Sequence, residues 1–440
     1  MRHPFRFILL TTRAASLARS FACFVAATAS FGASVGTARA DDFAQWRGPH
    51  RNGTSAEKGL LKEWPAAGPK LLWQVNDVGY GFSTPAVVGD RLYVISNKGL
   101  DNEYVQALKV KDGTAIWSTK LGKVGSPEQQ PNYPGARSTP TVDGNLLYAL
   151  SSDGDLLCME TASGTVRWHK SLKADFGGKP GIWAYSESPL IDGDAVIVTP
   201  GGSEAALVKL NKKTGETIWK SAIPGVDQAC YASPTIMEID GIKQYIQFLK
   251  VGVVGVDAKS GKFLWRFDKT AETKMGGNIP TPVAYHEYVY SASGLTGGGL
   301  AKITAGGGTF SAESVYFGKK MPSAIGGVVP VGDYLYGTGS QTLNCVELKT
   351  GTVKWEERCV GPGSICFADG RLYLHGENNE VALVEATPDG FHEKGHFTPT
   401  NPPTKRQERA WAYPVVANGR LYIRDLGTLW CYDVNGGGTK

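Results

Sequence analysis

The chain has 440 residues, 42% apolar and 20% charged, a balance that suits a protein with a sizeable buried core and excludes a disordered or fibrous chain. Its formal charge of +5 arises in the first 40 residues, which hold five Arg and no acid. Of 46 basic residues 41 remain beyond that segment, against 41 acidic ones, so the rest carries no electrostatic footprint for nucleic acid or anionic lipid. The 56 glycines and 11 tryptophans go together: many tight turns need Gly, and short strands need bulky aromatics to pack.

The chain opens on a processing signal. Arg2, Arg6, Arg13 and Arg19 precede an apolar stretch from Phe21 to Val35 and then Ala38-Arg39-Ala40. A positive n-region, an apolar h-region and a small-x-small site predict a signal peptide over 1–40, cleaved after Ala40, and an exported product, periplasmic or secreted. The apolar run falls short of the roughly 20 residues a membrane span needs, and no later segment reaches that length. Cys23 is a lipidation candidate, but Ser20-Phe21-Ala22 before it lacks the expected aliphatic residue. Export makes disulfides chemically accessible to the other six cysteines. Cys158, Cys345 and Cys431 recur at one strand position of different repeats and read as buried fillers. Pairing of Cys359 with Cys366 stays open.

From Lys70 to about residue 435 one unit recurs, with residues 41–69 forming an extension predicted to pack on this repeat region and residues 436–440 a short tail. The first half of the unit is Pro-x-Val-x-Gly-x-Leu-Tyr-Val, as at Pro85–Val94 and Pro140–Ala149. Two apolar runs joined by Gly-Asp, Asp-Gly or Asn-Gly form a β-hairpin, because such turns need positive φ. The second half is a strand, a polar turn ending in Gly, then x-x-x-Trp, as in Gly164-Thr-Val-Arg-Trp168 and Gly215-Glu-Thr-Ile-Trp219. Trp73, Trp117, Trp168, Trp219, Trp265 and Trp355 lie 44, 51, 51, 46 and 90 residues apart, the last interval holding two units. Four strands in 40–50 residues make a propeller blade, and eight inner strands start at or near Pro85, Pro140, Pro189, Pro234, Pro282, Val328, Cys366 and Val415. The predicted fold is all-β, an eight-bladed β-propeller of four-stranded antiparallel blades. Its last blade ends at Asp433 without a fourth strand, and Lys70–Gln74 supplies it, which also removes a free sheet edge.

The repeated turn-Gly-x-x-x-Trp, together with the opening Gln45-Trp46-Arg47-Gly48-Pro49, resembles the pyrroloquinoline-quinone-type (PQQ-type) propeller superfamily over roughly residues 70–435. Within it the chain is most similar to BamB-like exported propellers. That resemblance implies a non-catalytic scaffold or binding protein of the cell envelope. The quinoprotein dehydrogenase branch implies the alternative, an oxidoreductase using PQQ and calcium, and a carbohydrate-binding propeller is a third reading. For the dehydrogenase branch, Gly201-Gly202-Ser203-Glu204 resembles the segment that places a calcium ligand, which makes Glu204 the candidate. The other segments depart: Ser291–Gly299 carries no amide or carboxylate, the Trp-Asp segment with the catalytic base is missing, and no two cysteines are adjacent. A hard cation needs several oxygen ligands, so neither catalytic residues nor a bound PQQ or calcium are expected. His392 and His396 fall roughly 13 Å apart on a strand, too far to share a metal.

Residues just before each inner strand should line the mouth of the central channel. The candidate ligand-binding set is Arg137, Trp183, Tyr185, Glu187, Tyr231, Asn278 and Trp411, with Tyr133 and Tyr413 beside them. Aromatics interleaved with Arg, Glu and Asn suit an envelope protein, a polar small molecule or a glycan. The protein is expected to be monomeric.

Overall fold

The computed structural model describes residues 42–127, 135–404 and 409–437. The cleavage site at Ala40, Cys23 and Tyr133 lie outside them. Among the described residues the strands form eight four-stranded antiparallel sheets. The first blade is Ala86–Val88, Arg91–Lys98, Asn102–Lys109 and Ala115–Lys123, each strand pairing with the next. Six more blades repeat that meander. The eighth takes Val415–Ala417, Arg420–Asp425 and Thr428–Asp433, and its fourth strand is Lys70–Val75, with Trp73 opposite Cys431. The two ends of the repeat region thus close the ring by strand pairing.

Local chemistry explains the blades. The first and second strands of blade eight are joined by Asn418 and Gly419 at φ 57° and 67°, the pair of positive values that a two-residue hairpin of matching twist requires. The Gly-x-x-x-Trp motif works between blades. Gly164 (φ +72°) lies flat on the preceding blade's Trp117, so that a Cβ there would stand 2.6 Å from the indole. The Trp117 Nε1 donates to the carbonyl of Thr161, three residues before that glycine, at 3.0 Å. Trp73 repeats the arrangement with Val110 and Gly113, and Trp168 with Lys212 and Gly215. The glycine therefore serves the neighbour's tryptophan rather than its own.

Two blades depart from the pattern. Blade five has a long outer hairpin, Gly297–Gly306 and Thr309–Gly318, with Tyr316 at the tryptophan's register position. Lacking the usual neighbouring turn, Trp265 of blade four donates to Gln244 in its own blade at 2.7 Å. In blade seven the register position opposite Leu383 holds Gly395. Trp64, from the segment before the ring, fills the vacated space: its backbone N–H donates to Lys394 O at 2.8 Å, and its ring lies 5.9 Å from Tyr373. Blade tryptophans sit 6.0 to 6.1 Å from the matching tyrosines, as in Trp117–Tyr93 and Trp168–Tyr148.

Residues 43–57 occupy the axial channel and touch every blade. Phe43 pairs with Val87, Val142 N–H donates to Ala44 O, and Trp46 Nε1 donates to Thr281 Oγ1 at 2.9 Å. Arg51 donates to the carbonyls of Ser188 and Pro189 in blade three and Pro234 in blade four, and Arg47 to Val328 O in blade six. Ser55 bonds Phe367 O through its N–H and Val416 O through its hydroxyl, reaching blades seven and eight. Glu57 accepts from Asn418 and Gly419 N–H. All six described cysteines are free, Cys359 and Cys366 included, and burial pushes both of those thiols up to about 12.

Candidate functional site

The loops that bring the chain back from each outer strand converge at one end of the channel. Several hold a Ser or Thr directly before the proline that opens the inner strand, and these hydroxyls link neighbouring blades. Thr139 N–H donates to Ser188 Oγ at 2.9 Å, Ser188 N–H to Ser233 Oγ at 2.9 Å, and Tyr413 N–H to Thr84 Oγ1 at 2.9 Å. The proline, which cannot donate, sits where the strand begins. This ring fixes the residues just upstream.

Those residues line a solvent-open pocket of about 190 Å³: Trp46, Phe82, Arg137, Trp183, Ser186, Tyr231, Ile279, Ile325, Trp411 and Tyr413. Trp183 and Tyr231 form one wall, 5.1 Å between ring centroids, and Phe82 and Trp411 another at 5.0 Å. Trp46, rising from the channel segment, packs edge-on against Tyr413 at 4.5 Å and gives the floor. Arg137 stands between the walls, its guanidinium carbon 6.0 Å from the Phe82 centroid and Nη1 donating to Gly135 O at 3.0 Å. The tyrosine hydroxyls are engaged: Tyr413 donates to Ile325 O at 3.0 Å, and Tyr231 accepts from Trp183 N–H at 3.3 Å.

Beneath the pocket lie buried charges. Burial lowers Arg47, Arg51 and Arg424, the latter two to about 9, and backbone carbonyls accept hydrogen bonds from them. Burial raises Glu103 and Glu187 to about 7, against the opposing hydrogen bonds from Ser152 and from Thr199 and Gln247. All three nitrogens of Arg51 and of Arg424 find acceptors, whereas Arg47 Nε and Nη1 have none among the described residues.

Four of the seven sequence-derived candidates, Arg137, Trp183, Tyr231 and Trp411, come together in the pocket. The other three are buried in the walls behind it. Tyr185 donates to Pro200 O at 2.9 Å, Glu187 accepts from Gln247 Nε2 at 3.1 Å, and Asn278 bridges Glu272 N–H and Leu249 O. Each holds a loop in place and none lines the pocket. Glu204 is exposed in the turn closed by the Gly202–Ala205 bridge, away from the lining.

Phe82, Ser186, Ile279 and Ile325 were not among the candidates, yet a simple offset finds them. They and Arg137, Tyr231 and Trp411 all stand three residues before the equivalent position at the entry to an inner strand, held by Pro85, Pro189, Pro282, Val328, Pro140, Pro234 and Pro414. Trp46 has no such signal, since it reaches the site from the segment before the ring.

Among the described residues the lining holds no carboxylate, carboxamide or imidazole. Among the described residues no group of three or more His, Cys, Asp or Glu is placed to hold a metal ion. The described lining residues do not include the several oxygen donors a calcium ion would need, and as a set they do not fit that group.

Eight blades, four of them locked by a tryptophan under a neighbouring glycine, around a plugged axis with an aromatic mouth, define a PQQ-type propeller. The chain belongs to the family described as outer membrane protein assembly factor BamB, whose model matches residues 101–357. It is 25% identical over 255 residues to BamB of Yersinia pestis, covering 53% of this chain and 59% of that protein. It is 23% identical over 265 residues to the quinoprotein alcohol dehydrogenase PedH of Pseudomonas putida, covering 56% and 41% respectively. These alignments span less than two thirds of either relative's length. The solved BamB structure from Moraxella catarrhalis superposes with a TM-score of 0.58 at 16% identity, covering 83% of this chain and 99% of that one, which shows a shared fold.

Proposed function

We propose that this protein is an exported, non-catalytic binding propeller of the cell envelope, which holds its partner or ligand at the channel mouth. The observation that carries this reading is the composition of the pocket: six aromatic rings, two isoleucines, a serine and one guanidinium, with no carboxylate or imidazole among the described lining residues to act as general base or to ligate a cation. Such a surface recognises and does not turn over. The likeness to BamB of Yersinia pestis supports an envelope role among proteins.

The test is to mix the purified chain with PQQ and calcium, record the visible spectrum, and follow dye reduction with alcohols and sugars. The reading predicts no turnover. Stoichiometric PQQ binding accompanied by turnover would overturn it and restore the oxidoreductase alternative.

A further inference from the structure

The outer strands of the blades form the rim of the ring, and among the described residues each has one side that no further strand pairs. An open sheet edge invites pairing with another chain, and proteins blunt it by keeping the strand short or by placing a basic residue on it. Seven of the eight outer strands follow that rule. They run five to nine residues and each carries a Lys or Arg, as Lys220 in Thr217–Ser221 and Arg266 in Phe263–Phe267. The outer strand of blade five, Thr309–Gly318, departs from it. This strand is ten residues long, holds no Lys, Arg or Pro, and has Glu313 as its one charged residue. In every other blade the residue after the tryptophan position is polar, as in His169, Lys220 and Glu356, whereas here Phe317 follows Tyr316 and is 41% exposed. Exposure alternates along the strand and just past its end: Glu313, Val315, Phe317 and Lys319 are exposed, and the residues between them are half-buried.

We propose that this rim strand pairs antiparallel with the same strand of a second copy of the chain, joining two blades into one continuous sheet across a two-fold dimer. The strand's own side chains select the register. With the two-fold axis at Tyr316, Glu313 lies opposite Lys319 of the second copy and Val315 opposite Phe317, and each pair occurs twice. Opposite charges and aromatic–β-branched neighbours are the favourable cross-strand combinations, and a two-fold contact is self-complementary in this way. Glu313 already faces Lys302 across its own hairpin, so the second lysine reaches it from the open side. An axis at Glu313 would instead set two carboxylates directly opposite each other, which is destabilising. The dimer stands in place of the monomer expected from the sequence and does not depend on what the channel mouth binds. A seven-residue overlap is a small interface, so the dissociation constant should be on the order of 10–100 µM.

Sedimentation velocity on the purified protein, from about 1 to 300 µM to bracket that constant, tests it. The protein should pass from monomer to dimer over this range. Phe317→Lys should stay monomeric throughout, with thermal unfolding unchanged because the side chain is on the rim. Glu313→Lys and Lys319→Glu should each weaken self-association about fivefold or more, since each sets like charges opposite one another twice. An equimolar mixture of those two variants should associate again, because every opposed pair is then of unlike charge. A protein that is monomeric at every concentration, or a dimer that persists in Phe317→Lys, overturns the proposal. Failure of the mixture to regain association overturns the register.

Discussion

Gly164 shows what a single residue does in this ring. Its positive φ and the Trp117 indole beneath it are separate demands, and they can be measured apart. Gly164→Ala combines a left-handed backbone penalty of about 1–2 kcal/mol with overlap costing about 1–3 kcal/mol. Gly193→Ala, at φ +58° with nothing within 4 Å of the new methyl, carries the backbone penalty alone. Denaturant unfolding should therefore rank Gly164→Ala clearly below Gly193→Ala. Equal losses would show that the glycine is not a cover for the tryptophan.

Buried carboxylates make a second prediction at the same scale. Glu103 and Glu187 are raised to about 7, so between about pH 4.5 and 7 the native protein keeps protons that the unfolded chain has released. Stability then falls as pH rises through that window, by about 1.4 kcal/mol per pH unit for each proton retained, and levels off for these groups above it. Glu103→Gln keeps an acceptor for Ser152 N–H and removes one of the protons. The slope of stability against pH from 5 to 7 should be shallower by about one proton, and an unchanged slope would assign the effect elsewhere.

At the level of the element, the blades were legible in the sequence because their signals are local. Hairpin turns such as Asn418-Gly419 and the Gly-x-x-x-Trp spacing sit within a few residues of what they specify. Blade seven was not legible in that way. Its outer strand Glu393–Phe397 lacks a tryptophan, and the ring that completes it is Trp64, some 330 residues away in sequence. Trp64→Ala should cost about 3–5 kcal/mol, the usual loss for truncating a buried Trp. It should raise hydrogen exchange first in Glu393–Phe397 and Val381–Glu385. Loss spread evenly over all blades would argue against a local role. The mouth candidates show the same division: Arg137, Tyr231 and Trp411 follow the offset from the inner strand. Tyr185, Glu187 and Asn278 were drawn from the correct loops, but their side chains turn inward to satisfy backbone groups, which spacing alone does not encode.

For the molecule as a whole, closure of the ring by Lys70–Val75 and filling of the axis by residues 43–57 have one consequence. The channel is filled by that segment, with a pocket left beside Gln45 and Pro49–Asn52 against blades three to five, and at the mouth seven blades and the segment in the axis each contribute side chains. Exposed apolar residues next to the pocket, Ile182 at 52% and Met275 at 47%, extend that face. Ile242, 38% exposed, lies at the opposite end of its blade. If the protein works by binding through its mouth, a partner must sit against Ile182 and not against Ile242. Photocrosslinking in the intact envelope, from a benzoylphenylalanine placed at either position, reads this out. Adducts should form from position 182 and disappear with Trp411→Ala, and few should form from position 242. Adducts from position 242 alone, or adducts from position 182 that survive loss of Trp411, would contradict binding at the mouth.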